Sequence, residues 1–189
     1  MPNTVEVSNT RAAELPFLHL RRVDYGRVVI KNNPELCYVH EVKWVEAHLL
    51  HERQVFEVLD NRHPSVCAAE GKVCDARVCR FGCWGPGNSK CVSCANFTYT
   101  ANVSERLDDG TLLRAFETRF CLPTCSRLGA TSALLEYLDT IPMRGAHRPA
   151  LYEVPGGRCS ECHEECAEGC TGPVPPPLLH TQFRFIPLK

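Results

Sequence analysis

Cysteine is the residue type with the most chemistry to offer in this chain. The sequence holds thirteen, and twelve of them lie from Cys67 to Cys170. One block reads Cys74-x4-Cys79-x3-Cys83-x7-Cys91-x2-Cys94, with Gly82-Cys83-Trp84-Gly85-Pro86 at its centre. A second reads Cys159-x2-Cys162-x3-Cys166-x3-Cys170 and runs into Thr171-Gly172-Pro173. The blocks share a unit of closely spaced cysteines followed by a Gly-Pro turn, which lets the chain reverse so that a downstream cysteine can meet an earlier one. The pairing this suggests is first with third and second with fourth, although spacing alone leaves other connectivities open.

Three chemistries compete for these thiols. Disulfides are the first, because dense cysteine in a loop-rich segment compensates for a core too small to offset chain entropy. Zinc is the second: Cys91-x2-Cys94 and Cys159-x2-Cys162 together make a thiolate pattern of the kind that holds zinc tetrahedrally. Their separation is far longer than in a zinc ribbon, and nine further cysteines would go unexplained. A catalytic thiol is the third. Gly82-Cys83-Trp84 faintly resembles a cysteine-protease nucleophile but lacks the preceding Cys-Gly pair. Among the histidines His40, His48, His51 and His63, the pair His48-x2-His51 could share a helix face as metal ligands, but solvated surface positions are the ordinary reading. No Gly-rich phosphate loop or kinase motif is present, so phosphoryl transfer cannot be assembled from these residues.

The bulk composition agrees with the disulfide reading. The net charge of −1 gives no field for recruiting nucleic acid or an anionic membrane. Twelve glycines and fourteen prolines suit loops rather than one large packed core. Disulfides require an oxidising compartment, and an odd cysteine count leaves one thiol unpaired or bridged outside the chain. Met1–Thr10 has no apolar signal-peptide core, and no run approaches the ~18 apolar residues that span a membrane. A disulfide-rich chain without an export signal is expected to be a fragment.

The elements that must carry these cysteines change character near residue 67. Before it come short apolar runs, Phe17–Leu20 and Val28–Ile30, the latter closed by Asn32-Asn33-Pro34. Then come Leu36, Cys37 and Trp44, and the alternating Val55–Leu59 ending at Asp60-Asn61. Short strands punctuated by asparagine turns are expected to be coils of a β-solenoid, too few to bury their own core. Beyond Cys67, cysteines replace hydrophobic periodicity. Ala95–Thr124 reads as a polar stretch, and Ser132–Leu138 as two helical turns with Ser132 as N-cap. The tail from Val174 contains Pro175-Pro176-Pro177 and is assigned no structure. Asn96-Phe97-Thr98 and Asn102-Val103-Ser104 are N-glycosylation sequons.

These residues carry a resemblance. LPFLHLRRVDYGRVVIKNNPELCYVHEVKW resembles the last coils of a receptor L domain. GKVCDARVCRFGCWGPGNSKCVSC resembles the start of a furin-like cysteine-rich domain, and CSECHEECAEGCTGP a second module of that kind. The combination is similar to the epidermal growth factor receptor family at the junction of its second L domain and second cysteine-rich domain. The insulin receptor family lacks the GCWGP…CVSC wording.

The resemblance implies a mainly β fold with low regular structure. The C-terminal coils of a leucine-rich-repeat-like β-solenoid would be followed by a rod of small disulfide-bonded furin-like modules with only short strand pairs. It divides the chain into an irregular N-terminus (1–14), the end of an L domain (15–67), a furin-like region (68–173) and an unstructured tail (174–189). It implies the pairs Cys37–Cys67, Cys74–Cys83, Cys79–Cys91, Cys94–Cys121, Cys125–Cys159 and Cys162–Cys170. Cys166 is left without the downstream partner the family pattern supplies, and the loops after Cys94 and Cys125 are longer than the family usually has. Trp84 matches the family tryptophan that packs from the first module into the open end of the L domain.

The expected function is therefore non-catalytic: an extracellular ligand-binding and dimerisation-architecture piece of a receptor tyrosine kinase. No cofactor is expected. In the intact receptor the partners are a polypeptide growth factor and a dimer partner, with no nucleic acid, and membrane contact only through a downstream transmembrane segment. The expected location is the extracellular side of the plasma membrane. A secreted, truncated receptor acting as a ligand decoy is the alternative, and an intracellular zinc-binding protein a second one.

Overall fold

The computed structural model describes residues 3–106, 112–125, 150–162 and 170. The chain is mainly β. Three parallel strands, β1 (Asn3–Ser8), β2 (Arg27–Lys31) and β3 (Phe56–Leu59), form one sheet in chain order. A short helix α1 (Pro64–Ala69) follows. Four further strands, β4 (Phe97–Arg106), β5 (Leu112–Leu122), β6 (Leu151–Val154) and β7 (Arg158–Glu161), form a second sheet ordered β5-β4-β7-β6.

The first sheet is built by a repeating turn. Each strand ends in a residue held at positive φ: Asn9 at 54°, Asn32 at 56° and Asp60 at 51°. Asparagine and aspartate tolerate this left-handed geometry better than other non-glycine residues. The residue after each then ties the coils together. Thr10 donates to Asn33 Oδ1 through its backbone N at 2.9 Å and its hydroxyl at 2.8 Å. Asn33 Nδ2 donates to the Val7 carbonyl at 3.0 Å and to Asn61 Oδ1 at 2.8 Å, and Asn61 Nδ2 donates to the Ile30 carbonyl at 2.8 Å. Asn33 is fully buried, and both ends of its amide are satisfied. The β-branched Val28 and Ile30 of β2 turn inward, against Leu15, Leu36, Val39 and Trp44.

Beyond α1 the buried material is largely sulfur. Cys37, Cys67, Cys79, Cys83, Cys91 and Cys121 pack with Tyr38 and Val78 into one cluster. The second sheet has its own small core, in which Tyr99 stacks on Phe120 at 6.3 Å between ring centroids, beside Leu122 and Cys125.

Three expectations are corrected. Residues 1–14 are not irregular throughout, because β1 pairs in parallel with β2 from Asn3 to Ser8. Its apolar signal is only Val5 and Val7, too short to stand out among polar neighbours. Phe17–Leu20 is not a strand but a turn closed by Leu20 N on the Phe17 carbonyl. Its apolar residues serve packing at the solenoid's end rather than sheet pairing. Ala95–Thr124, read as a polar stretch among short strand pairs, exceeds a short strand pair, with strands of 10 and 11 residues. It holds the antiparallel hairpin β4–β5, in register from Phe97↔Leu122 to Glu105↔Arg114, with a register shift before Arg106↔Leu112. The helix expected at Ser132–Leu138, the tail from Val174, and Cys166 lie outside the described residues.

Candidate functional site: the junction of solenoid and cysteine-rich module

The candidate site is a joint. Trp84 belongs to the first cysteine-rich block by sequence, yet its side chain completes the solenoid core and is 2% exposed. Its indole meets Trp44 edge-on at 5.3 Å and Phe17 edge-on at 5.5 Å, and Trp44 in turn packs on Phe56 of β3 at 5.0 Å. Offset and edge-to-face aromatic contacts of this kind add about 0.5–1.5 kcal/mol each beyond area burial. The backbone is fixed at the same point: the Trp84 carbonyl accepts from Leu15 N at 3.0 Å, and Trp84 N donates to the Lys90 carbonyl at 2.8 Å.

Polar contacts surround this aromatic plug. Lys43 N donates to the Phe81 carbonyl at 3.1 Å. Cys74 N donates to Glu41 Oε2 at 2.9 Å. Lys90 Nζ pairs with Glu14. Burial, with the carboxylates of Glu14 and Glu41 nearby, pushes the Tyr38 hydroxyl above its usual pKa. Two glycines permit the close approach. Gly82 lies at φ 89°, and a Cβ there would overlap the Glu41 carbonyl and the Val42 backbone. A Cβ on Gly85 would strike the Glu14 carboxylate and the Lys90 stem.

Disulfides frame the joint on both sides. Cys37–Cys67 closes the end of the solenoid with a Cα separation of 5.7 Å. Cys74–Cys83 and Cys79–Cys91 cross within one module, holding the Gly82–Pro86 turn that presents Trp84. Cys94–Cys121 ties that module to β5, while Cys125–Cys159 and Cys162–Cys170 continue the chain of links. Cys121 N also donates to the Asn88 carbonyl at 2.9 Å. Arg119 donates to the carbonyls of Cys91 at 3.1 Å and Val92 at 3.3 Å. Burial, aided by the charge of Arg21, lowers the Arg119 pKa.

This arrangement removes two of the competing chemistries. Cys91, Cys94, Cys159 and Cys162 sit in four different disulfides, so they are not the thiolates of one zinc site. Cys83 is bridged to Cys74 and is not a free nucleophile. His48 and His51 lie in a turn rather than on a helix face, with His48 at φ 58° and both rings exposed. Among the described residues no group of three or more His, Cys, Asp or Glu side chains is placed to hold a metal ion. Also among them, no helix is long and apolar enough to cross a membrane.

Of the two sequon asparagines, Asn96 is exposed just before β4, its Nδ2 donating to the Arg77 carbonyl at 3.3 Å. Asn102 lies within β4 opposite Glu117. The residues that sequence reasoning did not single out are Glu14, Glu41 and Lys90 at the joint. Their signal is tertiary, since each acts across the boundary between the two blocks.

No protein-family model matches the chain. Individual relatives do. Human receptor tyrosine-protein kinase erbB-4 is 29% identical over 85% of this chain and 14% of its own length. The epidermal growth factor receptor of Drosophila melanogaster is 30% identical over 84% of the chain and 12% of its own. That of Gallus gallus is 25% identical over 90% of the chain and 28% of its own. The chain thus spans less than a third of the length of these relatives. By sequence and by its disulfide-framed, mainly β architecture, the chain is a homologue of one cysteine-rich segment of the epidermal growth factor receptor family.

Proposed function

We propose that this chain serves as an extracellular, non-catalytic architectural segment of an epidermal growth factor receptor-like tyrosine kinase. Its role is to hold the end of a ligand-facing solenoid at a fixed angle to a rod of disulfide modules. The observation that carries the reading is the burial of Trp84 in the solenoid core, which turns a covalent linker into a packed joint. In the intact receptor the partners are a polypeptide growth factor and a second receptor. The setting is the outer face of the plasma membrane, where six disulfides persist. Tyrosine kinase activity belongs to the rest of such a receptor. Asn96 and Asn102 carry N-glycans in this setting.

Only three parallel strands of solenoid are present among the described residues, which supports a small share in ligand contact for this segment. The isolated chain is expected to bind an epidermal growth factor-like polypeptide weakly or not at all, measured by surface plasmon resonance. Sub-micromolar binding would overturn the architectural reading in favour of a ligand-capturing one. Membrane-impermeant biotinylation of cells making the intact parent is expected to label the protein, and failure to label it would overturn the extracellular assignment.

A further inference from the structure

One short segment stands between the solenoid and the second sheet. Asn88–Val92 closes the loop that carries Trp84, and its backbone is engaged on both sides. On one side Trp84 N donates to the Lys90 carbonyl at 2.8 Å, Val92 N donates to the Gly82 carbonyl at 2.9 Å, and Lys90 Nζ pairs with Glu14. The Val92 side chain packs against the solenoid core. On the other side β5 docks. Cys121 N donates to the Asn88 carbonyl at 2.9 Å, and Arg119 Nη2 donates to the carbonyls of Cys91 at 3.1 Å and Val92 at 3.3 Å.

The alternation of β5 makes this docking possible. Phe120 and Leu122 join Tyr99 in the core of the second sheet. Arg119 and Cys121 fall on the opposite face by the two-residue period of a strand. Cys121 enters the sulfur cluster with Cys79, Cys83 and Cys91 and is bridged to Cys94. Arg119, half-buried, lies two residues further along the strand, roughly 7 Å from the bridge.

That offset has a mechanical consequence. The chain enters β4 from Cys94, and the bridge to β5 also starts at Cys94, so both covalent links to the first module run through one residue. Ala95 N on the Val78 carbonyl and Asn96 Nδ2 on the Arg77 carbonyl hold the base of β4. A hairpin attached only there could swing about its base. The two carbonyls under Arg119 give β5 a second point of support, away from that pivot. Those carbonyls belong to the same segment that supports Trp84. We propose that Arg119 is the positioning residue that sets the direction of the β4–β5 hairpin relative to the solenoid. The hairpin is then an arm of fixed direction rather than a loop hung from a disulfide, with Asn88–Val92 as the support it shares with Trp84. The proposal rests on the architectural reading of the Trp84 joint.

The test reads two quantities on the full chain, with intact bridges checked in each variant by mass mapping. The first is amide hydrogen exchange. Arg119→Met keeps an apolar stem and removes the donors. Protection of the Cys121 amide is expected to fall about tenfold in that variant, the size of one charge-assisted hydrogen bond, while the Trp84 amide keeps its protection. Arg119→Lys restores a charged donor and is expected to recover most of the loss. Unchanged Cys121 protection in Arg119→Met, or equal losses in the two variants, would overturn the proposal. The second quantity is the distance between spin labels at the exposed positions Glu52, Ala76 and Glu117, attached through an introduced keto amino acid so that no cysteine is used. Wild type is expected to give one narrow distance for Glu52–Ala76, across the joint, and one for Glu52–Glu117, out to the arm. Arg119→Met should broaden only the second. A broad wild-type Glu52–Glu117 distance beside a narrow Glu52–Ala76 one overturns the fixed arm alone, and broad distances for both overturn the joint as well.

Discussion

The indole of Trp84 stands edge-on to that of Trp44, 5.3 Å between ring centroids at an interplanar angle of 70°. The two rings come from opposite sides of the joint, one from a disulfide-held turn and one from the solenoid. Neither unit can keep this contact alone, so the packing couples their stabilities. Trp84→Ala is expected to cost about 3–5 kcal/mol in chemical denaturation, typical of a buried tryptophan deleted from a core. It should also create protease sensitivity near Lys72. Trp84→Phe should cost less, because part of the aromatic contact with Phe17 and Trp44 survives.

Gly82 permits that contact and should tolerate no side chain. Its φ of 89° disfavours any L residue, and a Cβ would overlap the Glu41 carbonyl. Gly82→Ala is expected to separate the joint while leaving Cys74–Cys83 formed. Loss of tryptophan burial would appear as a red-shifted emission in the variant, and unchanged emission would count against the packing described.

Asn33 holds three coils through one amide. Asn33→Ala removes the partners of Thr10, of the Val7 carbonyl and of Asn61 together, all at a fully buried position. With about 1–3 kcal/mol for each buried group left unsatisfied, the variant should lose roughly 3 kcal/mol or more in urea denaturation. Asn33→Asp keeps the acceptor but loses both donated bonds and buries a charge, so it should not rescue.

The second sheet predicts an alkaline limit. Tyr99 is buried and donates to Glu161, and burial followed by that carboxylate raises its pKa well above the ordinary 10. The unfolded chain therefore loses this proton first as pH rises. The stability Tyr99 confers is fully present below about pH 10 and falls as pH climbs beyond it. Comparing the melting of wild type and Tyr99→Phe from pH 8 to pH 11 should show an alkaline decline that is steeper in wild type. Parallel declines would contradict the assignment.

How far the sequence reached can be judged from particular residues. The mainly β class and the kinship were readable because cysteine spacing and the Gly-Pro turns are local signals. β2 and β3 were readable because Val28–Ile30 and Val55–Leu59 carry β-branched or alternating runs ended by Asn or Asp. The hairpin was missed although Phe97-Thr98-Tyr99-Thr100-Ala101-Asn102-Val103-Ser104 alternates with a period of two. Its threonines and two sequons drew attention to polarity instead of to the alternation. β1 was missed because an edge strand with only Val5 and Val7 has little apolar signal, and its identity depends on pairing with β2. The contacts around Trp84 were not legible, since Phe17 and Trp44 reach its ring, and Glu14 reaches Lys90 and Glu41 reaches Cys74, only once the chain has folded back on itself.

The covalent frame carries the architecture. Six bridges at about 2–4 kcal/mol each are comparable with the whole stability of a small domain, so reduction should unfold the region after Cys67. The most direct measurement is disulfide mapping with a free-thiol count, on chain secreted from a eukaryotic host behind an added signal peptide. The expected result is crossed Cys74–Cys83 and Cys79–Cys91 pairs, the other four bridges described, and Cys166 as the one free or externally bridged cysteine. Mostly free thiols, or stoichiometric zinc on them, would contradict it.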